Sequence, residues 1–170
     1  QLAQILTLSG PDDFSGSSAL ADHGVRPAAG ISWYGPSDFT DPSLFLMDRE
    51  AGEAPRNRFA ARIAGADLVA RDDEDARKEV RRRLEEMSAV FWIRADSPPL
   101  LLIQGDTDRV IPVHHAPHLA RKAAEVGAPL TVQIVKNADH GWKAKGGPVD
   151  PSVEEIVRMT VSFALTHLRR

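Results

Sequence analysis

Apolar residues at Leu2, Ala3, Ile5, Leu6 and Leu8 recur at helical spacing, and Gly10-Pro11 ends the run with residues that stop a helix. Asp12 to Ser18 reads as a polar loop. The segment Pro27-Ala-Ala-Gly-Ile-Ser-Trp33 is short and apolar, bounded by Pro27 and Gly35-Pro36, which predicts a buried strand over Ala28–Trp33. Residues 37–58 carry prolines, glycine and scattered charge and are expected to be irregular or only briefly helical. A helix is expected from Phe59 to Val69, around Ile63 and Leu68. From Asp72 to Met87 the pattern predicts another, with Asp72, Asp73, Glu74 and Asp75 in its first turn and Arg81, Arg82 and Arg83 towards its end, as the helix dipole favours. Those arginines read as a solvated helix face or, alternatively, as an anion site.

Beyond Pro98-Pro99, Leu100-Leu-Leu-Ile-Gln104 is apolar without alternation, the pattern of a strand covered on both faces. Pro112 to Val126 predicts a helix, with Leu119, Ala120, Ala123 and Val126 on one side and Gly127 at its stop. Thr131 to Val135 predicts the next strand. Ser152-Val-Glu-Glu155 is a capping box opening a last helix, striped by Val153, Ile156, Val157, Thr160, Val161, Ala164, Leu165 and Leu168. Strands alternating with helices over short connections predict an α/β fold, a mostly parallel sheet flanked by helices.

Composition narrows the classes. With 21 Lys+Arg against 24 Asp+Glu the formal charge is −3, a poor fit to nucleic acid as a partner. Hydrophobic residues at 42% and charged residues at 26% exclude wholesale disorder, and 170 residues suffice for one domain with a core. No apolar run of about 18 residues spans a membrane. The absence of cysteine excludes disulfides, thiolate nucleophiles and Cys-based zinc sites. It suits both a reducing cytosol and many secreted bacterial enzymes, so the compartment stays open, with the cytoplasm slightly favoured.

In parallel sheets functional groups collect at the carboxyl ends of strands. Two predicted strand ends carry polar clusters, Gly105-Asp-Thr-Asp108-Arg-Val-Ile-Pro112 and Asn137-Ala-Asp139-His140-Gly141-Trp142. A carboxylate on one such loop and a histidine on the next form the acid–His pair of nucleophilic catalysis, the acid orienting the imidazole that moves the proton. Asp108 and His140 are the candidates, and Asp106 is read as shaping the turn. His114-His115-x-x-His118 looks like a metal cluster, but it lacks a zinc-ligand spacing and reads as surface histidines at a helix start. Tyr34 and Trp142, near strand ends, are candidates for a substrate pocket.

Pro98-Pro-Leu-Leu-Leu-Ile-Gln-Gly-Asp-Thr-Asp-Arg-Val-Ile-Pro112 resembles the acid loop of α/β-hydrolases, in the esterase/lipase group related to feruloyl esterases and hormone-sensitive lipases. Ala138-Asp-His140-Gly141 is similar to that family's His-Gly loop, and Ile31-Ser-Trp-Tyr-Gly-Pro-Ser-Asp38 resembles its Trp-Tyr-Gly-Pro-x-Asp segment. The resemblance implies that Asp108 is the triad acid, that His140 is the base, and that the substrate is a small-molecule carboxylic ester. It implies no cofactor and no metal.

The departure is the nucleophile: the chain has no Gly-x-Ser-x-Gly, and the nearest approach, Gly30-Ile-Ser32-Trp-Tyr34, lies in a predicted strand. Gln1-Leu2-Ala3 resembles the run that follows the family's elbow, so the chain is expected to be the C-terminal half of such a hydrolase. The Ser and the oxyanion-hole loop would then stand upstream, and these 170 residues alone would be inactive. On this reading residues 1–170 are a partial hydrolase domain with 37–87 as a lid or insert. A homo-oligomer through the sheet edge left open beside Ala28–Trp33 is expected. The alternatives are a peptidase of the prolyl-oligopeptidase type and a non-catalytic binding or dimerisation module.

Overall fold

The computed structural model describes residues 1–10, 13–14, 26–45 and 73–168. The helix expected over Phe59–Val69 and residues 46–72 of the lid region lie outside the described residues.

Helix α1 (Leu2–Leu8) buries Gln4, Ile5, Thr7 and Leu8, while Leu2 and Leu6 are exposed. Apolar spacing therefore locates this helix without giving its inner face. Two polar residues turn inward because each finds a partner there. Gln4 Nε2 donates to Ser32 Oγ at 3.0 Å and to the Gly35 carbonyl at 3.1 Å, and Thr7 Oγ1 donates to the Ala3 carbonyl at 2.7 Å.

Strands β1 (Gly30–Trp33), β2 (Leu100–Gly105) and β3 (Leu130–Val135) form a parallel sheet in the order β1-β2-β3, with Leu100 opposite both Gly30 and Leu130. The central strand is buried along its whole length, as its unbroken apolar pattern requires. Leu100 and Leu102 pack with Leu8 and with Ala116, Leu119 and Ala123 of helix α3 (His115–Val126). Leu101 and Ile103 pack on the opposite face with Val135, Trp142 and Ile156. Each such leucine contributes roughly 2 kcal/mol by leaving water. The two helices α1 and α3 thus cover one face, and helix α4 (Val153–Leu168) covers the other.

Helix α2 (Glu74–Glu86) starts at Asp73, whose carboxylate accepts from the Asp75 amide. Its arginines are spent within the helix: Arg81 pairs with Glu85, Arg82 with Glu79 and Glu86, and Arg83 with Glu79, all on the solvent side. Helix α3 begins later than expected, at His115, because Pro112 to His115 first closes a turn. It stops at Gly127, whose φ of 76° glycine adopts without strain.

The capping box opening α4 is present: Glu155 N donates to Ser152 Oγ at 3.3 Å and Ser152 N to Glu155 Oε2 at 2.8 Å. The expected apolar stripe is not buried as a unit. Ile156 is buried and Thr160 accepts from Trp33 Nε1 at 3.1 Å, but Val153, Val157, Val161, Leu165 and Leu168 are 45, 43, 50, 44 and 70% exposed. A sheet of three strands, among the described residues, is too narrow to cover both sides of the stripe. A two-stranded antiparallel hairpin, β4 (Ala138–Asp139) with β5 (Lys143–Ala144), follows β3 and carries the His loop.

Candidate active site

At the end of β2 the chain turns through Asp106 and Thr107, whose amides donate to the carbonyls of Val135 and Ala138. A side chain at Gly105 would run into the Ala138 carbonyl oxygen, so only glycine lets the two loops approach. The turn delivers Asp108 into the interior, 1% exposed. Its Oδ1 accepts from the amides of Val110 (2.8 Å) and Ile111 (2.9 Å), and its Oδ2 accepts from Gln104 Nε2 (3.2 Å). Gln104 is held in turn by donating to the Ile111 carbonyl at 2.8 Å. The remaining contact of Oδ2 is His140 Nδ1, at 3.0 Å. A carboxylate only accepts, so Nδ1 carries the hydrogen and Nε2 is left for proton exchange. Asp106, in contrast, is exposed and accepts from the Ala138 amide at 3.3 Å.

The His loop holds its shape in left-handed backbone, with φ of 55° at Asn137, 71° at Gly141 and 61° at Trp142. A tryptophan there is strained, and such strain persists only where the surroundings enforce it. The enforcement is aromatic. Trp142, 8% exposed, sits in the core edge-on to Trp33, with ring centroids 5.5 Å apart. Tyr34, itself at φ 43°, lies between Trp142 (5.0 Å) and the His140 imidazole (4.5 Å). Of the two aromatics expected at a substrate pocket, Tyr34 is the half-buried one beside the imidazole, and Trp142 stands behind it in the core.

Two residues that sequence reasoning passed over join the loops. Asp139 Oδ1 accepts from the amides of Arg109 (3.0 Å) and His140 (2.8 Å), and its Oδ2 takes Arg109 Nε and Nη2, each at 2.7 Å. Burial of Asp139 works against its charge, but the two amides and the guanidinium outweigh it and hold the carboxyl at about 2. The dipeptides Asp108-Arg109 and Asp139-His140 therefore meet as crossed pairs, acid to base in both directions. The available signal was opposite charge flanking each candidate on two loops already expected to be neighbours.

A family model, BD-FAE, matches residues 2–123. The chain belongs to the BD-FAE family. Among solved structures, this BD-FAE chain superposes on a truncated carbohydrate esterase from gut microbiota with a TM-score of 0.57 at 20% identity, covering 83% of this chain and 49% of that one. It superposes on an esterase of the planctomycete Thermogutta terrifontis with a TM-score of 0.57 at 17% identity, covering 95% of this chain and 50% of that one. The same esterase phosphonylated by cyclosarin gives 0.57 at 14% identity, with 95% and 49% covered. The chain thus spans about half the length of the solved structures it matches, and it shares the α/β-hydrolase fold of these esterases. No curated protein matches it. The family match ends before His140, so it is the folded chain that brings that residue to Asp108.

The histidines at the start of α3 correct the expectation of surface residues. His115 is fully buried, its Nδ1 accepting from the Ser37 amide at 3.2 Å and its ring meeting Phe45 edge-on at 4.4 Å. Ser37 Oγ donates back to the His115 carbonyl at 2.9 Å. Burial pushes the His115 imidazole down to about 4, against a weaker opposing pull from Asp38. His118 Nε2 lies 3.1 Å from Asp38 Oδ2. His115 meets Phe45 of a cluster with Phe39, Leu44 and Ile111, and together with His118 on Asp38 it fastens residues 37–45 to α3. Among the described residues, no group of three or more His, Asp or Glu is placed to hold a metal ion.

Proposed function

We infer that the chain supplies the acid and the base of a serine-type carboxylic ester hydrolase, with the nucleophile standing outside these 170 residues. The observation that carries this reading is the 3.0 Å contact between buried Asp108 and His140 at the ends of neighbouring parallel strands, in a chain of the BD-FAE family. Esterases among its structural neighbours support it.

The serine hydroxyl attacks the ester carbonyl carbon and gives its proton to His140 Nε2. Asp108, acceptor of four hydrogen bonds, holds the Nδ1–H tautomer and stabilises the imidazolium that forms. As the tetrahedral intermediate collapses, His140 returns the proton to the leaving alkoxide. Water then enters by the same route, giving its proton to His140 as its oxygen attacks the acyl-enzyme, and His140 returns that proton to the serine oxygen as the ester bond breaks and the acid is released. Tyr34 faces the acyl or leaving group beside the imidazole, with Trp142 as its backing. Among the described residues no helix is long and apolar enough to cross a membrane.

The test is the ester-hydrolase activity of the full-length protein on an activated ester. His140→Ala lowers kcat by several orders of magnitude and Asp108→Asn by about 10⁴-fold, the loss known for such triads. Asp106→Ala, which removes only a turn contact, costs far less. An Asp106 variant as damaged as the Asp108 variant would show that the wrong carboxylate was assigned.

A further inference from the structure

We propose that Asp139 and Arg109 are positioning residues for this reaction, a latch that sets His140 against Asp108. The proposal rests on the acid–base reading above and adds to it the part that fixes the distance between acid and base. One oxygen, Asp139 Oδ1, accepts from two amides: that of Arg109, the residue bonded to Asp108, and that of His140 itself. The main chain of the acid and the main chain of the base are therefore tied to a single atom, 7% exposed as part of its residue. The other oxygen, Oδ2, receives the planar guanidinium through both Nε and Nη2, which fixes the direction of the carboxylate as well as its place.

Elsewhere the two loops are joined at Ala138, whose carbonyl accepts from the Thr107 amide and whose amide donates to Asp106 Oδ1, two residues short of the imidazole. The His loop is a two-residue ladder, β4 on β5, with strained backbone at Asn137 and Trp142. Aromatic contact with Tyr34 limits the tilt of the imidazole but leaves its distance from Asp108 unset. The latch supplies that distance. Arg109 is mostly solvent-exposed, 65% at its side chain, and an ion pair with one exposed partner adds little to global stability. Its effect falls on alignment, where about 1 Å of misplacement is worth about 10²-fold in rate.

Three variants of the full-length enzyme, Asp139→Ala, Asp139→Asn and Arg109→Ala, separate positioning from simple support. Asp139→Ala lowers kcat by about 10²-fold with KM little changed, and Asp139→Asn, which keeps an acceptor for both amides, recovers most of the loss. Arg109→Ala lowers kcat less and adds nothing further in the Asp139→Ala background, because both act through one carboxylate. The ring itself gives a second readout. In long-range ¹H–¹⁵N correlation spectra of the full-length enzyme, His140 is the Nδ1–H tautomer, and in Asp139→Ala it becomes a mixture of both tautomers. An unchanged tautomer in Asp139→Ala, or equal damage from Asp139→Asn and Asp139→Ala, overturns the latch. Should Asp139→Ala fail to fold, Asp139→Asn and Arg109→Ala decide alone: kcat and tautomer both unchanged in Arg109→Ala overturn the proposal. If His140→Ala leaves activity intact, it is the acid–base reading that fails, and the tautomer alone then decides the latch.

Discussion

Asp106 and Asp108 stand two positions apart and meet opposite environments, one exposed at a turn and one buried under four hydrogen bonds. His115 is buried where His140 is part-exposed, and the burial of His115 has a pH signature. His115 is held at about 4, well below the 6.5 of an ordinary imidazole, because burial disfavours its cation. Between those values the unfolded chain binds a proton that the folded chain does not, so stability rises with pH through this window and is complete above 6.5. On acidification from 6.5 to about 4 the native protein loses roughly 3 kcal/mol on account of this one residue. Asp139, held at about 2, has the opposite origin and a lower window: its contribution is intact above 3.8 and is lost only as pH falls towards 2. Denaturant titrations at several pH values check the larger effect. His115→Asn, whose side-chain oxygen can accept from the Ser37 amide, is expected to flatten the dependence between pH 6.5 and 4; parallel curves for the two proteins would contradict it.

At the scale of elements, much of the sheet and the approach of Asp108 to His140 could be read from the chain. Leu100–Gln104 announces a doubly covered strand, and in a parallel sheet Asp108 and His140 then fall at neighbouring strand ends. Arg109 and Asp139 could not be read so easily, because their meeting depends on the relative height of two loops, set by Gly105 against Ala138. Helix faces were the other blind spot. In α1 buried Gln4 and Thr7 displace Leu2 and Leu6 from the interior, and in α4 five apolar residues face out. Periodicity marks which residues could be buried together, and only the available partner surface decides which are. That exposed face of α4, with β1 at the edge of the sheet among the described residues, places an apolar surface beside strand groups that no described strand pairs. Sedimentation of the 170-residue chain is expected to show dimers or larger species, and a Val157→Glu/Val161→Glu variant to shift them towards monomer. A monomeric parent that unfolds cooperatively would show the surface to be harmless.

For the whole molecule, the proposed reading is of two halves of one reaction in different stretches of polypeptide. The chain spans about half of the esterases it superposes on, and it brings Asp108 to His140 and Arg109 to Asp139 on two adjacent loops. On the proposed reading its share is to hold a proton acceptor at fixed height above a parallel sheet, with the nucleophile brought to Nε2 of His140. This claim is tested most directly by treating the full-length protein with a fluorophosphonate and finding the adduct by tandem mass spectrometry. The serine oxygen bonds to phosphorus, fluoride leaves, and the proton passes to His140, so labelling reports nucleophile and base together. A single modified serine outside these 170 residues is expected, formed several orders of magnitude more slowly in His140→Ala. Modification of Ser32 or another serine within the chain, or a labelling rate indifferent to His140, would contradict it.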